Sequence, residues 1–300
     1  MEYVTLRNGV KMPKNGYGVY QISKEDCERC VIDAIKVGYR LIDTAQSYFN
    51  EEEVGKAIQK AIGDGLVKRE ELFITSKVWI ENYGYENCKK SVLESMKKLK
   101  IDYIDLMLLH QPFADYYGAY RALEDLYEEG KIRAIGVSNF YPDRLTDICL
   151  FERKIVPYIN QVETNVFNAQ YEAQENMKKY NVQIEAWAPF GEGRNNMFSN
   201  EVLAEIAKKH NKSIAQVILR WLTQRNVVAL SKSTLVERMK ENFDIFDFEL
   251  SEEDMKKIRE LDTKNSLFFS HYDPNMVAWF NQTVISRRTN QDHLKDKKNW

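Results

Sequence analysis

Short apolar runs, four to six residues long, alternate along most of the chain with longer stretches in which apolar positions recur every three or four residues. The runs predict strands over Gly16–Tyr20, Arg40–Asp43, Leu72–Lys77, Asp105–His110, Ala134–Asn139, Ile159–Glu163, Gln183–Trp187 and Val227–Ser231, with amphipathic helices between them. Eight strand–helix units in series predict an α/β fold of the closed (β/α)8 kind, a TIM barrel. Ahead of them, Asn8-Gly9 between Val4-Thr5-Leu6 and Val10-Lys11-Met12 predicts a β-hairpin at the barrel bottom. Ser23 with Asp26, and Ser251 with Asp254, have the spacing of helix-capping pairs. A doubly wound open sheet is disfavoured because no G-x-G-x-x-G follows any strand. The pattern assigns residues 1–280 to a single barrel domain and 281–300 to a polar, loosely ordered tail that carries the basic pairs Arg287-Arg288 and Lys297-Lys298.

Composition narrows the functions. With 300 residues the chain is long enough for one barrel, and Lys+Arg 43 against Asp+Glu 45 give a net charge of -2, so nucleic acid is not an expected partner. No apolar run approaches a membrane span, and Met1–Val10 lacks a basic region followed by an apolar one, so a soluble cytoplasmic protein is expected. Four cysteines are too few for a disulfide framework. Cys27 and Cys30 fall on one face of a predicted helix, and nothing nearby completes a zinc site. No apolar stripe calls for a second subunit, so a monomer is expected.

In a barrel of this kind chemistry collects where the strands end, and three strands end on polar residues: Asp43, Lys77 and His110. Neighbouring strands lie about 4.8 Å apart, so these ends bring an acid, an ammonium and an imidazole together. Tyr48, five residues past Asp43, falls on the loop above the same rim. Lys77 beside Tyr48 is expected to lower the phenol's pKa, with Asp43 neutralising the ammonium and a neutral His110 orienting a carbonyl oxygen. Each residue alone has an ordinary structural reading, such as a buried ion pair for Asp43 and Lys77; their joint placement carries the functional one. Nothing here delivers hydride, so a nicotinamide cofactor is implied. A metal-dependent hydrolase is disfavoured, because of His110, His210, His271 and His293 only His110 ends a strand, and no metal is expected.

These residues sit in stretches that resemble the aldo-keto reductase family. They are Gly38-Tyr39-Arg40-Leu41-Ile42-Asp43-Thr44-Ala45, then Tyr48, Glu51 and Val54-Gly55; Ile74-Thr75-Ser76-Lys77; Leu109-His110; Gly130-Lys131-Ile132-Arg133; Ile135-Gly136-Val137-Ser138-Asn139-Phe140; Asn160-Gln161-Val162-Glu163; and Lys232-Ser233. The pattern is most similar to bacterial members of the diketo-gluconate reductase and prostaglandin F synthase-like group. The resemblance implies NADPH-dependent reduction of aldehydes and ketones by a tetrad of Asp43, Tyr48, Lys77 and His110, with Tyr48 as proton donor. It further implies that Ser138, Asn139 and Gln161 bind the nicotinamide carboxamide, that Trp187 stacks on its ring, and that Lys232, Ser233 and Arg238 hold the adenosine 2′-phosphate, with Glu241 and Asn242 near the adenine.

Three positions depart from the family pattern: Ser231 stands where many members have proline, which is expected to loosen the phosphate loop; Trp187 replaces the tyrosine common in animal members, although it resembles many bacterial ones and keeps a stacking face; and Gln111 replaces a tryptophan, leaving that wall more polar. Gly191–Met197 resembles a loop that folds over the pyrophosphate, with Gly191 and Gly193 as flexible points. Tyr20, Trp79, Gln111 and Phe113, each just past a strand end, are the substrate-pocket candidates; plain packing is their other reading. The partner is then a small carbonyl compound, a diketo-sugar acid or a general aldehyde. A cofactor-binding regulatory or sensor protein on the same barrel, similar to auxiliary subunits of potassium channels, is the alternative.

Overall fold

The computed structural model describes residues 1–151 and 153–296, with side chains through Arg287. A two-stranded hairpin, β1 (Tyr3–Thr5) and β2 (Lys11–Pro13), precedes eight parallel strands: β3 (Asn15–Gly18), β4 (Leu41–Asp43), β5 (Phe73–Val78), β6 (Leu106–Leu109), β7 (Ile135–Ser138), β8 (Ile159–Glu163), β9 (Gln183–Trp187) and β10 (Val228–Ser231). Each pairs with the next in sequence, and β10 closes on β3 to complete the barrel. Every residue of β4 to β8 and of β10 is buried, as expected for strands with a filled barrel interior on one face and helices on the other. All eight predicted strands are present, shifted at their ends by no more than two residues.

The hairpin turns at Asn8-Gly9, where Gly9 takes a φ of +84° that few other residues adopt. It closes the barrel bottom: Arg7 donates to the carbonyls of Val156, Tyr180 and Asn181, and Asn8 to that of Arg133, all ahead of strand starts. Both predicted helix caps form, with Ser23 accepting from the Asp26 amide and Ser251 and Asp254 bonding each other's backbone.

The C-terminal boundary is corrected. Residues Pro274–Asp296 form one helix, so a tail beginning at 281 would cut through it. Phe280 and Val284 are buried and Met276 packs partly against the core, which gives an apolar stripe with a spacing of four. A tail read from 281 onward splits that stripe between Phe280 and Val284. Lys297-Lys298 lie outside the described residues. Among the described residues, no helix is long and apolar enough to cross a membrane.

Candidate active site

The strand register assembles the cluster. Asp43 ends β4 opposite Thr75 of β5, and Lys77 lies two residues further along β5 on the same face. Lys77 pairs with Leu108 of β6, and His110 stands two residues beyond Leu108. The Lys77 ammonium donates to Asp43 Oδ1 at 2.6 Å, to the Thr44 carbonyl at 3.1 Å and to the Tyr48 hydroxyl at 3.2 Å. The Tyr48 and His110 rings meet edge-on at 5.8 Å, and His110 Nδ1 lies 3.4 Å from Ser47 Oγ. When that hydroxyl donates to Nδ1, the imidazole proton is on Nε2.

Burial dominates the electrostatics. It pushes Tyr48 up to about 12; the Lys77 charge pulls it back and the Asp43 charge opposes Lys77. The sequence-based expectation of a lowered phenol is therefore overturned, because removing a phenolate from water costs more here than one neutralised ammonium returns. Burial also works against the Lys77 ammonium, but Asp43 and then Tyr48 outweigh it and hold Lys77 above the usual lysine range. His110 lies well below the usual histidine range, through burial first and the Lys77 charge next, so its ring is neutral.

One member of this network has no sequence-based forecast. Glu185 of β9 sits directly opposite Gln161 of β8, and the Gln161 amide nitrogen donates to Asp43 Oδ2 and to Glu185 Oε2, both at 3.0 Å. Burial, reinforced by the Asp43 charge, pushes Glu185 up to about 8. Its only sequence signal is an acidic residue two positions before Trp187 on the same strand face.

A cavity of about 1420 Å³ runs from this cluster along the barrel mouth. Ser138, Asn139, Gln161 and Trp187 line its middle, and Lys232, Ser233, Arg238, Glu241 and Asn242 its far end. The middle residues are locked together: Ser138 donates to the Gln161 carbonyl at 2.8 Å, Asn139 to the His110 carbonyl at 3.0 Å, and the Trp187 indole to Asn139 Oδ1 at 2.9 Å. Lys232 and Arg238 are exposed, and the helix Val236–Phe243 begins with no side-chain cap on its free amides. Amides, a half-buried indole face, then two cations beside a helix N-terminus fit an extended dinucleotide bearing an extra phosphate. Ser231 remains in β10, paired with Tyr17 and 3.3 Å from the Tyr39 hydroxyl.

The loop Gly191–Ser199 borders the cavity through Glu192, Gly193 and Phe198. Gly191 is more than a flexible point: its φ is +52°, and a Cβ there would stand 2.5 Å from Leu267. Of the substrate-pocket candidates, Tyr20, Trp79 and Gln111 line the cavity. Phe113 does not; it packs behind the wall, 5.3 Å from the Phe280 ring, because the C-terminal helix takes the position next to the cavity. Part of the extra polarity expected from Gln111 is used internally, since its side-chain oxygen accepts from His271 Nε2 at 2.9 Å. Phe268, Phe269, Trp279, Phe280 and Arg287 complete the wall and were not anticipated from the sequence.

The aldo/keto reductase family model matches residues 5–263. The chain is 50% identical over 257 residues to glyoxal reductase of Bacillus subtilis, covering 85% of this chain and 91% of that protein. Among solved structures, it superposes on an aldo-keto reductase from a Medee basin deep-sea metagenome with a TM-score of 0.86 and 44% identity, covering 90% of this chain and 98% of the other. A Bombyx mori aldo-keto reductase in complex with NADP superposes with a TM-score of 0.85 and 32% identity, covering 89% and 95%. The closed barrel and these matches together establish that the chain is an oxidoreductase belonging to the aldo/keto reductase family.

Proposed function

We propose that the protein reduces small aldehydes and ketones to alcohols with NADPH, using Tyr48 as proton donor. The observation that carries this reading is the buried Asp43–Lys77–Tyr48 chain beside a neutral His110, opening onto a cavity of about 1420 Å³. Bound NADPH supplies hydride to the carbonyl carbon. The protein's part is at the oxygen. A neutral His110 donates a hydrogen bond that orients the carbonyl and favours charge developing on it. Tyr48 keeps its proton throughout the neutral range and gives it up only to a much stronger base, the oxygen as it becomes an alkoxide. Lys77 then stands 3.2 Å from the phenolate and stabilises it, while Asp43 compensates the buried ammonium.

Ser138, Asn139, Gln161 and Trp187 are assigned to the nicotinamide, and Lys232, Ser233, Arg238, Glu241 and Asn242 to the adenosine 2′-phosphate end. The similarity to a glyoxal reductase supports small aldehydes as substrates. Four free cysteines, all buried, support a cytoplasmic location. The test is to mix the purified protein with NADPH and an aldehyde panel including glyoxal, following loss of reduced-nicotinamide absorbance beside the Tyr48→Phe variant. Turnover by the wild type that collapses in the variant supports the assignment. Tight NADPH binding without turnover of any aldehyde would replace it with a cofactor-sensing role.

A further inference from the structure

The helix Pro274–Asp296 lies beyond residue 263, where the family match ends, and it walls one side of the catalytic end of the cavity. Its stripe of Met276, Phe280 and Val284 faces the barrel, and Trp279, Thr283 and Arg287, again four apart, border the cavity. The Arg287 guanidinium sits 5.0 Å from the Phe49 ring and 5.0 Å from the Trp79 ring. Its Nη1 is buried without a hydrogen-bond partner among the described residues, and so is the Trp79 indole nitrogen. Buried donors rarely go without an acceptor, and here one belongs to the Trp79 indole and the other to the guanidinium that packs against it.

The cavity lining suits an anion. Of the acidic residues lining the cavity, Asp43 is held by Lys77, while Glu192 and Glu241 belong to the loop Gly191–Ser199 and the helix Val236–Phe243 at the cofactor end. Trp79 also meets the His110 ring edge-on at 5.1 Å, so one indole separates the imidazole from the guanidinium. A substrate whose carbonyl reaches His110 and Tyr48 would extend its far end past Trp79 to Arg287. The aromatic rings of Trp79, Trp279 and Phe280 suit an apolar body between the two ends.

We propose that Arg287 and the Trp79 indole N–H form an oxyanion subsite, and that the enzyme prefers carbonyl substrates carrying a carboxylate remote from the reacting carbon. A guanidinium suits this group because its fork of N–H donors matches the two carboxylate oxygens. The inference rests on the reductase reading above and names the substrate class within it.

The experiment compares kcat/KM for 4-carboxybenzaldehyde and benzaldehyde with saturating NADPH, in the wild type and in R287M, R287K and W79F. The wild type is expected to favour the carboxylated aldehyde. The ratio of the two values should fall about ten- to hundredfold in R287M, mostly through KM, because charge-assisted hydrogen bonds to the guanidinium are lost. R287K should retain part of the preference, and W79F should lose a smaller part than R287M. Because the readout is a ratio within one protein preparation, partial misfolding cancels. Turnover of benzaldehyde with no preference in the wild type, or a ratio unchanged in R287M, overturns the subsite alone and leaves Arg287 as an anchor for the helix. No turnover of either benzaldehyde overturns the subsite where glyoxal is still reduced, and overturns the reductase reading itself where glyoxal is not reduced either.

Discussion

The two ends of the cavity are built on opposite principles. At the end that holds Tyr48 the polar groups carried by the strand ends are bonded within the protein: Lys77 to Asp43, Thr44 and Tyr48, Gln161 to Asp43 and Glu185, Asn139 to His110 and Trp187. At the far end Lys232 and Arg238 are exposed, and the helix behind them starts uncapped. A site that must hold a proton at a fixed atom gains from rigid partners set before substrate arrives. A site that only grips a phosphate gains from groups whose hydrogen bonds are made to the ligand. Substitutions at the two ends should therefore divide cleanly between kcat and cofactor affinity.

The largest expected effect is at the committed end. Tyr48→Phe keeps the ring and removes only the proton, so kcat should fall by about 10²- to 10⁴-fold while NADPH affinity, read by fluorescence titration, changes little. A comparable loss of NADPH binding in this variant would dissolve the distinction between the ends. Next is the open end: Arg238→Ala should raise the Kd for NADPH about ten- to hundredfold and leave that for NADH nearly unchanged. Equal weakening toward both cofactors would move Arg238 off the 2′-phosphate.

The sequence made the committed end legible and left the outer wall dark, for a physical reason. Asp43, Lys77 and His110 each close an apolar strand, and strand register alone is enough to bring them together. Side chains that arrive from distant segments carry no such signal. Phe268, Phe269 and Arg287 reach the cavity because Glu163 binds the Leu267 amide and the Ser266 hydroxyl, and because a later helix packs its stripe on the barrel. The same helix displaced Phe113 from the pocket it was expected to line. Desolvation was equally hidden: the proximity of Lys77 to Tyr48 was predictable, but the depth that pushes the phenol to about 12 was not.

Glu185 sharpens the comparison further, because it ties the committed end to the barrel interior. Its folded value of about 8 lies above its ordinary 4.5, so between these the native protein holds a proton that the unfolded chain has released. Its contribution to stability is complete below about 4.5 and is lost as pH rises toward 8. Across that window the slope is at most about 1.4 kcal/mol per pH unit. Glu185→Gln stays neutral, so thermal unfolding should show the variant gaining on the wild type as pH rises from 5 to 8. A constant offset between the two curves would mean that Glu185 is ionised in the native protein and that Gln161 bridges two carboxylates.

The smallest effect separates lining the pocket from packing behind it. Phe113 touches Phe280 and His271 with its ring, at 5.3 and 6.0 Å, and reaches no part of the cavity surface. Phe113→Leu should therefore cost about 1 kcal/mol of stability, as a modest change of shape in packed surroundings does. KM for a neutral aldehyde should move by less than about twofold, since no atom in contact with substrate changes. A large rise in KM with unaltered thermal stability would return Phe113 to the pocket. It would also mean that the C-terminal helix withdraws from the wall when substrate binds, because Phe280, which lines the cavity, otherwise packs against Phe113.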